Sequence, residues 1–157
     1  MALNLLSEQD FIGFLALDFD AYTNFNVWQQ QVEKKVLTEL YGKAMYEDYE
    51  ANPTDAKYQA LTDGSDTLPT TKDVILGFFY FYYVRNTQSN HTTIGSVVAL
   101  AENADQDYKG STVKSTSAWN TSLQNYDLQA QYVAADKTTY DKYTETKVKD
   151  YNDQWGI

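Results

Sequence analysis

The chain of 157 residues contains no cysteine and a single histidine. Without cysteine it forms no disulfide, binds no metal through a thiolate and has no cysteine nucleophile. The one histidine, His91, has no second histidine or cysteine to complete a metal site, so a solvated side chain in a polar loop is the preferred interpretation. Thiol chemistry and the common zinc-dependent reactions are therefore not indicated.

Basic residues are also scarce, with 12 Lys and Arg against 22 Asp and Glu, which gives a formal net charge of −10. No part of the chain forms the basic stripe that holds nucleic-acid phosphates, so sequence-independent DNA binding is not predicted. An acidic surface keeps a protein in solution, and it would also repel DNA from the wall of a channel. Plain solubility is the simpler explanation of the two.

No apolar run is long enough to cross a membrane, because a spanning helix needs about 20 apolar residues. The sequence also begins without the basic and apolar regions of a secretory leader. The most apolar run, residues 74–84, carries six aromatic rings in eleven positions. Lys72, Asp73 and Arg85 enclose it with charge, which is typical of a buried core element.

The aromatic run is predicted to form a central helix over residues 71–88. Thr70 and Asp73 have the spacing of a helix capping box at its start. The run is apolar on all sides, as in a helix packed among other helices. Gly77 allows a neighbouring helix to come close, and the apolar stripes of residues 25–40 and 43–50 are the expected partners.

Apolar residues at three- and four-residue spacing predict further helices. Ser7 is the expected N-cap of a short helix over residues 8–18, and Asn24 or Asn26 caps the helix over 25–40. A further helix follows over 43–50. Thr54 is the expected cap of another short helix, which contains Tyr58 and Leu61.

The region after the central helix is predicted to be extended. A polar break covers residues 87–93, and residues 94–100 fit either a strand or an extended arm. Residues 101–110 are predicted to be an acidic loop. The predicted bundle therefore carries an extended arm at about residues 92–100.

A single long amphipathic helix is predicted over residues 112–152. Its apolar stripe consists of Trp119, Leu123, Tyr126, Ala130, Val133, Tyr140 and Tyr151. At about 1.5 Å per residue this helix would be near 60 Å long, about twice the width of a compact domain of this size. It should therefore bend, or project and pack on a neighbouring subunit. Trp155 and Ile157 form an apolar tip, which is either a docking peg or a frayed end.

The expected fold class is all-α: a small helical bundle with an extended arm and a long C-terminal helix. Residues 1–110 make the bundle core with its arm, and residues 111–157 make the long helix and tail, either within the same domain or projecting from it. No internal repeat divides the chain further.

No motif for catalysis or for a cofactor emerges. Residues 18–20 resemble the start of a calcium loop but lack its later oxygen ligand, glycine and glutamate. Glu47, Asp48 and Glu50 are expected on a solvated helix face rather than in a catalytic pair. Neither a phosphate-binding glycine loop nor a Gly-x-Ser-x-Gly elbow is present. We therefore expect no enzyme activity, no metal and no cofactor.

A succession of soft motifs resembles a known family. In chain order these are residues 40–49 (Leu-Tyr-Gly-Lys-Ala-Met-Tyr-Glu-Asp-Tyr), residues 57–64 (Lys-Tyr-Gln-Ala-Leu-Thr-Asp-Gly), Lys72 leading into the aromatic helix, residues 82–86 (Tyr-Tyr-Val-Arg-Asn) and residues 92–98 (Thr-Thr-Ile-Gly-Ser-Val-Val). Together they resemble head–tail connector proteins of tailed bacteriophages, particularly those of phages with Bacteroidetes hosts, including crAss-like phages. The resemblance covers about residues 25–103. Tyr41 departs from it, because that family often has leucine before the glycine.

The resemblance implies a virion structural protein. Such proteins are small helical bundles that assemble as a ring, usually twelvefold, below the portal, where they extend the DNA channel and provide a docking platform for the tail. The implied partners are further copies of the chain in a dodecamer, the portal protein and downstream tail or adaptor proteins. Genome DNA would pass through without sequence-specific binding, and no membrane is involved. The implied location is the neck of the virion, after synthesis in the host cytoplasm.

In that family the extended segment after the tyrosine-rich helix often contacts neighbouring subunits, which corresponds here to residues 92–100. The candidate interface residues are Thr93, Ile94, Val97 and Val98 in this segment, and Trp119, Tyr140, Tyr151, Trp155 and Ile157 in the long helix and tail. Two other functions stay open. One is a monomeric helical protein-interaction module. The other is an aromatic-rich tail or fibre component that binds glycans through exposed tryptophans.

Overall fold

The computed structural model describes residues 3–17, 25–87, 89–92, 95–98, 104–146 and 148, with side chains described as far as residue 86 and again from residue 113. The helices and strands in these ranges are α1 (Phe25–Tyr41), α2 (Lys43–Ala51), α3 (Ala56–Asp63), α4 (Thr71–Thr87), β1 (Ser89–Thr92), β2 (Gly95–Val98) and α5 (Ala104–Ala135). The fold is a helical bundle with a long helix near its C-terminus, as predicted.

Helix α4 is the aromatic run, and its predicted position at the centre of the bundle is confirmed. Val74, Ile75 and Phe79 are completely buried. The expected capping box begins the helix: the Thr70 hydroxyl accepts a hydrogen bond from the Asp73 N–H at 3.0 Å, and the Asp73 carboxylate accepts one from the Thr70 N–H at 3.0 Å. Satisfying these otherwise orphaned backbone donors fixes the helix start.

Gly77 gives the predicted close helix contact, but its partner is α5 rather than α1 or α2. A Cβ placed on Gly77 would lie 2.0 Å from the carbonyl oxygen of Ala118. The Gly77 N–H also donates to the Ser122 hydroxyl at 2.8 Å. Ala118 and Ser122 are one helical turn apart, so their small side chains leave the space that α4 occupies.

Helix α1 packs against α4 through aromatic rings. The rings of Phe25 and Phe79 are 5.5 Å apart, and Trp28 meets the edge of Tyr83 at 6.1 Å. The predictions for α1, α2 and the short helix α3 were confirmed. Asp55, rather than the predicted Thr54, is the N-cap residue of α3.

The prediction of a helix over residues 8–18 was wrong. The segment of residues 3–17, called here the N-terminal strap, contains only two 3-10 turns, at Glu8–Asp10 and Gly13–Leu15. Ser7 and Asp10 do form the expected cap, with the Ser7 N–H donating to the Asp10 carboxylate at 2.7 Å. Gly13 then adopts a φ of 61°, a left-handed conformation that interrupts a right-handed helix.

The predicted helix over residues 112–152 was misplaced at both ends. Helix α5 starts at Ala104, within the region predicted to be an acidic loop, and ends at Ala135. Its 32 residues extend about 48 Å. Beyond Ala135 the Asp136 carboxylate accepts a hydrogen bond from the Thr139 N–H at 3.1 Å. This local bond favours a turn over continued helix.

After the turn, the chain folds back onto the bundle instead of projecting. This C-terminal return, residues 136–146, places the Tyr140 hydroxyl 2.8 Å from the Lys57 carbonyl oxygen, to which it donates. The Thr144 N–H donates to the Tyr41 carbonyl oxygen at 3.2 Å. The periodic position of Tyr140 in the sequence was therefore coincidental, because it is buried by the return and not by a helix stripe.

Strands β1 and β2 form an antiparallel hairpin between α4 and α5. Ser89 pairs with Val98, and Thr92 pairs with Gly95. The strand alternative for the extended segment is confirmed over Gly95–Val98. The polar break before it is not a loop, since β1 lies there and contains His91. The two strands form a sheet of their own among the described residues.

Candidate functional site

The hairpin is the candidate surface on which the sequence prediction concentrated. Val97 and Val98 lie in β2, where they pair with Asn90 and Ser89 of β1. Thr93, Ile94, Tyr151, Trp155 and Ile157 lie outside the described residues. Apart from the pairing of its two strands, the main backbone contact of the hairpin is with α4. The described part of the hairpin therefore lies at the C-terminal end of α4.

Trp119 and Tyr140, the other two candidate interface residues, lie in the core. Trp119 is 8% exposed and Tyr140 is 5% exposed. The Trp119 ring meets Phe78 edge-on at 4.5 Å and lies 4.8 Å from Phe81. Both rings pack inside the bundle, so neither is exposed for contact with another molecule in this conformation. The stripe residues that face α4 cannot at the same time face a neighbour.

A charged cluster, called here the tail clasp, holds the C-terminal return. Asp48 on α2 accepts hydrogen bonds from the Lys142 ammonium at 2.7 Å, the Lys57 ammonium at 2.8 Å and the Tyr58 hydroxyl at 2.5 Å. These donors hold the pKa of the Asp48 carboxyl well below its usual range. Asp48 was predicted to lie on a solvated face. It is instead partly buried, and both of its carboxylate oxygens accept hydrogen bonds.

An uncharged polar network lies beside the tail clasp. The Tyr126 hydroxyl donates to the Leu40 carbonyl oxygen at 2.7 Å and lies 3.1 Å from the Tyr143 hydroxyl. The Tyr41 hydroxyl donates to the Gln129 side chain, whose amide in turn donates to the Pro69 carbonyl oxygen at 2.6 Å. Burial raises the pKa of Tyr41 well above its ordinary value. These groups are satisfied by one another and by backbone, which is the structural role of buried tyrosine.

The N-terminal strap is held by a second carboxylate, Glu33 on α1. Glu33 is 2% exposed, and its Oε1 accepts hydrogen bonds from the Leu6 N–H and the Gln29 amide, both at 2.9 Å. Its Oε2 is buried and makes no hydrogen bond with the described residues. Burial raises the pKa of the Glu33 carboxyl. A groove borders the strap beside α1, but Glu33 does not line it.

A second groove, called here the cationic groove, lies between α1 and the end of α4. It measures 410 Å³, and its lining includes Trp28, Gln31, Lys35, Tyr82, Arg85 and Asn86. The Lys35 ammonium lies 4.2 Å from the centre of the Tyr82 ring, and the Arg85 guanidinium lies 4.5 Å from the centre of the Phe81 ring. Aromatic faces thus position two cations at one place.

Sequence reasoning missed the cationic groove. The apolar stripe predicted over residues 25–40 includes Trp28 at three-residue spacing from Phe25, but Trp28 is only half-buried and forms the edge of the groove. Lys35 and Arg85 are 50 residues apart in sequence, and only the packing of α1 on α4 brings them together. No local pattern in the sequence connects the two residues, so only the tertiary structure reveals the groove.

Among the described residues, no group of three or more His, Asp or Glu side chains is placed to hold a metal ion. No helix in the described part of the chain is long and apolar enough to cross a membrane. No family model matches the chain, and no match emerged among curated proteins or solved structures.

Proposed function

We propose that the chain is a virion structural protein, a head–tail connector that assembles as a ring below the portal of a tailed bacteriophage. In this role it extends the DNA channel and offers a docking platform to tail proteins. The proposal takes its starting point from the resemblance of residues 25–103 to that family. Its structural support is the combination of a helical bundle with a β-hairpin between the two main helices.

The hairpin is the observation that carries the proposal. A two-stranded hairpin alone is marginally stable in water, because three or more strands or a packed helix are needed for independent stability. The outer edges of β1 and β2 pair with no further strand among the described residues. Such edges readily add a strand from another chain. A hairpin at the end of α4 therefore suits contact with a neighbouring subunit.

The charge of the chain fits the same role. With a net charge of −10, the surface is unfavourable for DNA phosphates. A channel wall that repels DNA lets the genome slide past without stable binding. The proposed role is structural and not catalytic. Asp48 and Glu33 each hold a chain segment in place through hydrogen bonds.

The decisive experiment is electron microscopy of the protein mixed with its portal, together with mass-spectrometric detection of the chain in purified particles. We expect ring-shaped density on the portal and peptides of the chain in the particles. A second sample carries Val97→Asp and Val98→Asp, which should abolish the ring while helix content stays unchanged. If neither a ring nor portal-bound density appears with the unmodified chain, the proposal fails.

A truncation tests the contribution of the tail. Thr144 and Thr146 make hydrogen bonds within the described bundle, and we expect it to stay folded when residues 150–157 are removed. We expect the truncated chain to unfold at the same temperature and to assemble more weakly. Normal assembly of the truncated chain would remove the tail from the proposed interface and leave the hairpin.

Of the alternatives, a glycan-binding fibre component would require exposed tryptophans. Trp119 is buried and Trp28 is half-buried. Trp155 lies outside the described residues, and the two described rings give this alternative no specific support.

A further inference from the structure

Self-association of this chain faces an electrostatic problem that its cationic groove can solve. Each copy carries a net charge of −10, so two copies repel one another at most relative orientations. A stable contact between copies therefore needs a place where positive charge is concentrated. The described lining of the cationic groove contains two cations, Lys35 and Arg85, and no acidic residue.

The groove also has the composition of a binding hot spot. Trp, Tyr and Arg are the residues most often responsible for binding energy at protein interfaces, and Trp28, Tyr82 and Arg85 lie together here. The two cations are positioned over aromatic rings, which limits the side-chain entropy lost on binding. The groove therefore favours a segment that carries carboxylates.

A matching acidic segment lies at the other end of α4. The turn between α3 and α4, called here the acidic turn, has the sequence Asp63-Gly64-Ser65-Asp66. Asp63 and Asp66 are both exposed, and neither forms an ion pair with a described residue. By contrast, Asp48 and Glu47 already face lysines. The acidic turn is thus better placed than these residues to meet cations of another molecule.

The acidic turn is also held in one conformation. The Ser65 N–H donates to the Leu68 carbonyl oxygen at 2.8 Å, and the Leu68 N–H donates to the Ser65 hydroxyl at 3.2 Å. Gly64, at a φ of 65°, is close to Leu68 and Thr70, and a Cβ there would lie 2.5 Å from the Leu68 carbonyl oxygen. A rigid turn loses little conformational entropy when it binds.

We propose that the acidic turn of one copy docks in the cationic groove of a second copy. The turn precedes α4 and the groove lies at its last turns, about 20 Å further along the helix axis. A contact between two different surfaces at opposite ends of one element is heterologous. It propagates head to tail and closes into a ring if the rotation allows. The proposed contact gives the ring of the proposed function a specific interface. It rests on that proposed function only for the location of the ring in the virion.

Sedimentation velocity of the full chain tests the contact through exchanged charges. The groove variant carries Lys35→Glu and Arg85→Glu, and the turn variant carries Asp63→Lys and Asp66→Lys. We expect the unmodified chain to associate with rising concentration between about 10 and about 500 µM, and less so when salt shortens the Debye length. Each variant alone should associate at least tenfold more weakly, because like charges then meet.

Recombining the variants provides the decisive outcome. An equimolar mixture places an intact turn opposite an intact groove, and a reversed turn opposite a reversed groove, so association should return. A single chain with all four substitutions should behave likewise. Lys137→Glu with Asp141→Lys, two exposed charges elsewhere, is the control and should leave association unchanged. Circular dichroism confirms that each variant is folded.

The proposal is overturned if the unmodified chain stays monomeric over the whole range, or if neither variant changes its association. It is equally overturned if the mixture stays as weakly associated as its components. A portal-bound ring that is unaffected by these charges would remove this contact and leave the proposed function. Charge-dependent association without any portal-bound density would support this contact and contradict the proposed function.

Discussion

The two terminal segments of this chain are each held to the bundle by one carboxylate, and the two carboxylates are in contrasting surroundings. Asp48 of the tail clasp accepts hydrogen bonds from two lysines and a tyrosine. Glu33 beneath the N-terminal strap accepts them from a backbone N–H and an amide, and no lysine or arginine forms an ion pair with it in the described part of the chain. Paired charge favours ionisation of Asp48, whereas burial disfavours it for Glu33.

A carboxylate of the bundle can therefore hold a chain segment in two ways. The C-terminal return depends on charge pairing and on the tyrosine network. The N-terminal strap depends more on apolar packing, with Phe11 and Phe79 rings 4.7 Å apart, and on the ion pair of Asp10 with Lys72 at 2.9 Å. The contacts of Asp48 and Glu33 should therefore respond in opposite directions to acid. The Asp10–Lys72 pair of the strap should weaken in acid as Asp48 does, since the pKa of Asp10 is also lowered.

The largest expected effect comes from a substitution at Gly77, which contacts neither carboxylate and gives a scale for the effects at both. Gly77→Ala places a Cβ against the backbone of α5, which must then move away from α4. We expect a loss of about 3 kcal/mol or more in the free energy of unfolding, measured by urea denaturation. Such a loss would show that the α4–α5 contact contributes more to the free energy of unfolding than either carboxylate does.

Gly13→Ala is the matched control, because a Cβ there meets nothing within 4 Å although φ is 61°. It should cost only about 1 kcal/mol, from backbone strain alone. Equal losses for the two alanine variants would show that α4 and α5 are not in close backbone contact.

The second largest effect is expected at Asp48, the charge-paired carboxylate of the tail clasp. Asp48→Asn removes the carboxylate that two lysines share, and we expect a loss of about 2 kcal/mol in unfolding free energy near neutral pH. Hydrogen exchange should increase in residues 136–146. Glu47→Gln, whose partner Lys43 lies at 3.6 Å on the exposed surface, should cost less than about 0.5 kcal/mol.

Acid should erase the difference between Asp48→Asn and the unmodified chain. Because the pKa of Asp48 is lowered in the folded protein, its contribution is complete above the ordinary carboxyl pKa of 3.8 and is lost as the pH falls through the lower folded value. A difference that stays constant down to strongly acidic pH would show that Asp48 acts through shape and not through charge.

The third effect concerns the uncharged bonds of the C-terminal return. Tyr126→Phe removes the hydroxyl that donates to the Leu40 carbonyl oxygen, and we expect a loss of about 1 kcal/mol. Combining it with Tyr143→Phe should give less than the sum of the two losses, since the two hydroxyls lie 3.1 Å apart. Strict additivity in urea denaturation would show that the two hydroxyls act independently.

The smallest effect is expected at Glu33. Glu33→Gln removes a buried charge but keeps an acceptor for the Leu6 N–H, so unfolding free energy should change by less than about 1 kcal/mol at pH 7. The pKa of Glu33 is raised in the folded protein, so protonation stabilises the fold. The unmodified chain should therefore gain stability relative to Glu33→Gln as the pH falls from 7 toward 4.5, the ordinary glutamate value. A flat difference would contradict this.

Much of the helical bundle was predictable from residue pattern. The capping box at Thr70 and the aromatic run predicted α4 to within one residue, because local hydrogen bonds and complete burial agree there. The predictions failed where a single local contact competes with periodicity. Gly13 breaks the first helix, and Asp136 ends α5 without the glycine or proline that usually marks such an end.

The candidate surfaces were less predictable. The extended segment was recognised, but β1 was not, because its residues Ser89–Thr92 lack the apolar alternation of a strand. Trp119 and Tyr140 were named as interface residues for their size and spacing, and both are core residues. The cationic groove could not be predicted, since Lys35 and Arg85 have no local relation in the sequence.

By itself the sequence determined the helical class, the central place of the aromatic run and the absence of thiol chemistry. These follow from composition and from contacts within a few residues. Only the tertiary structure decided that Gly77 meets α5, that the chain returns after Ala135 to the tail clasp, and that two cations share one groove. Each of these depends on residues far apart in the chain, whose meeting is fixed by how the helices pack and not by the pattern of any one segment.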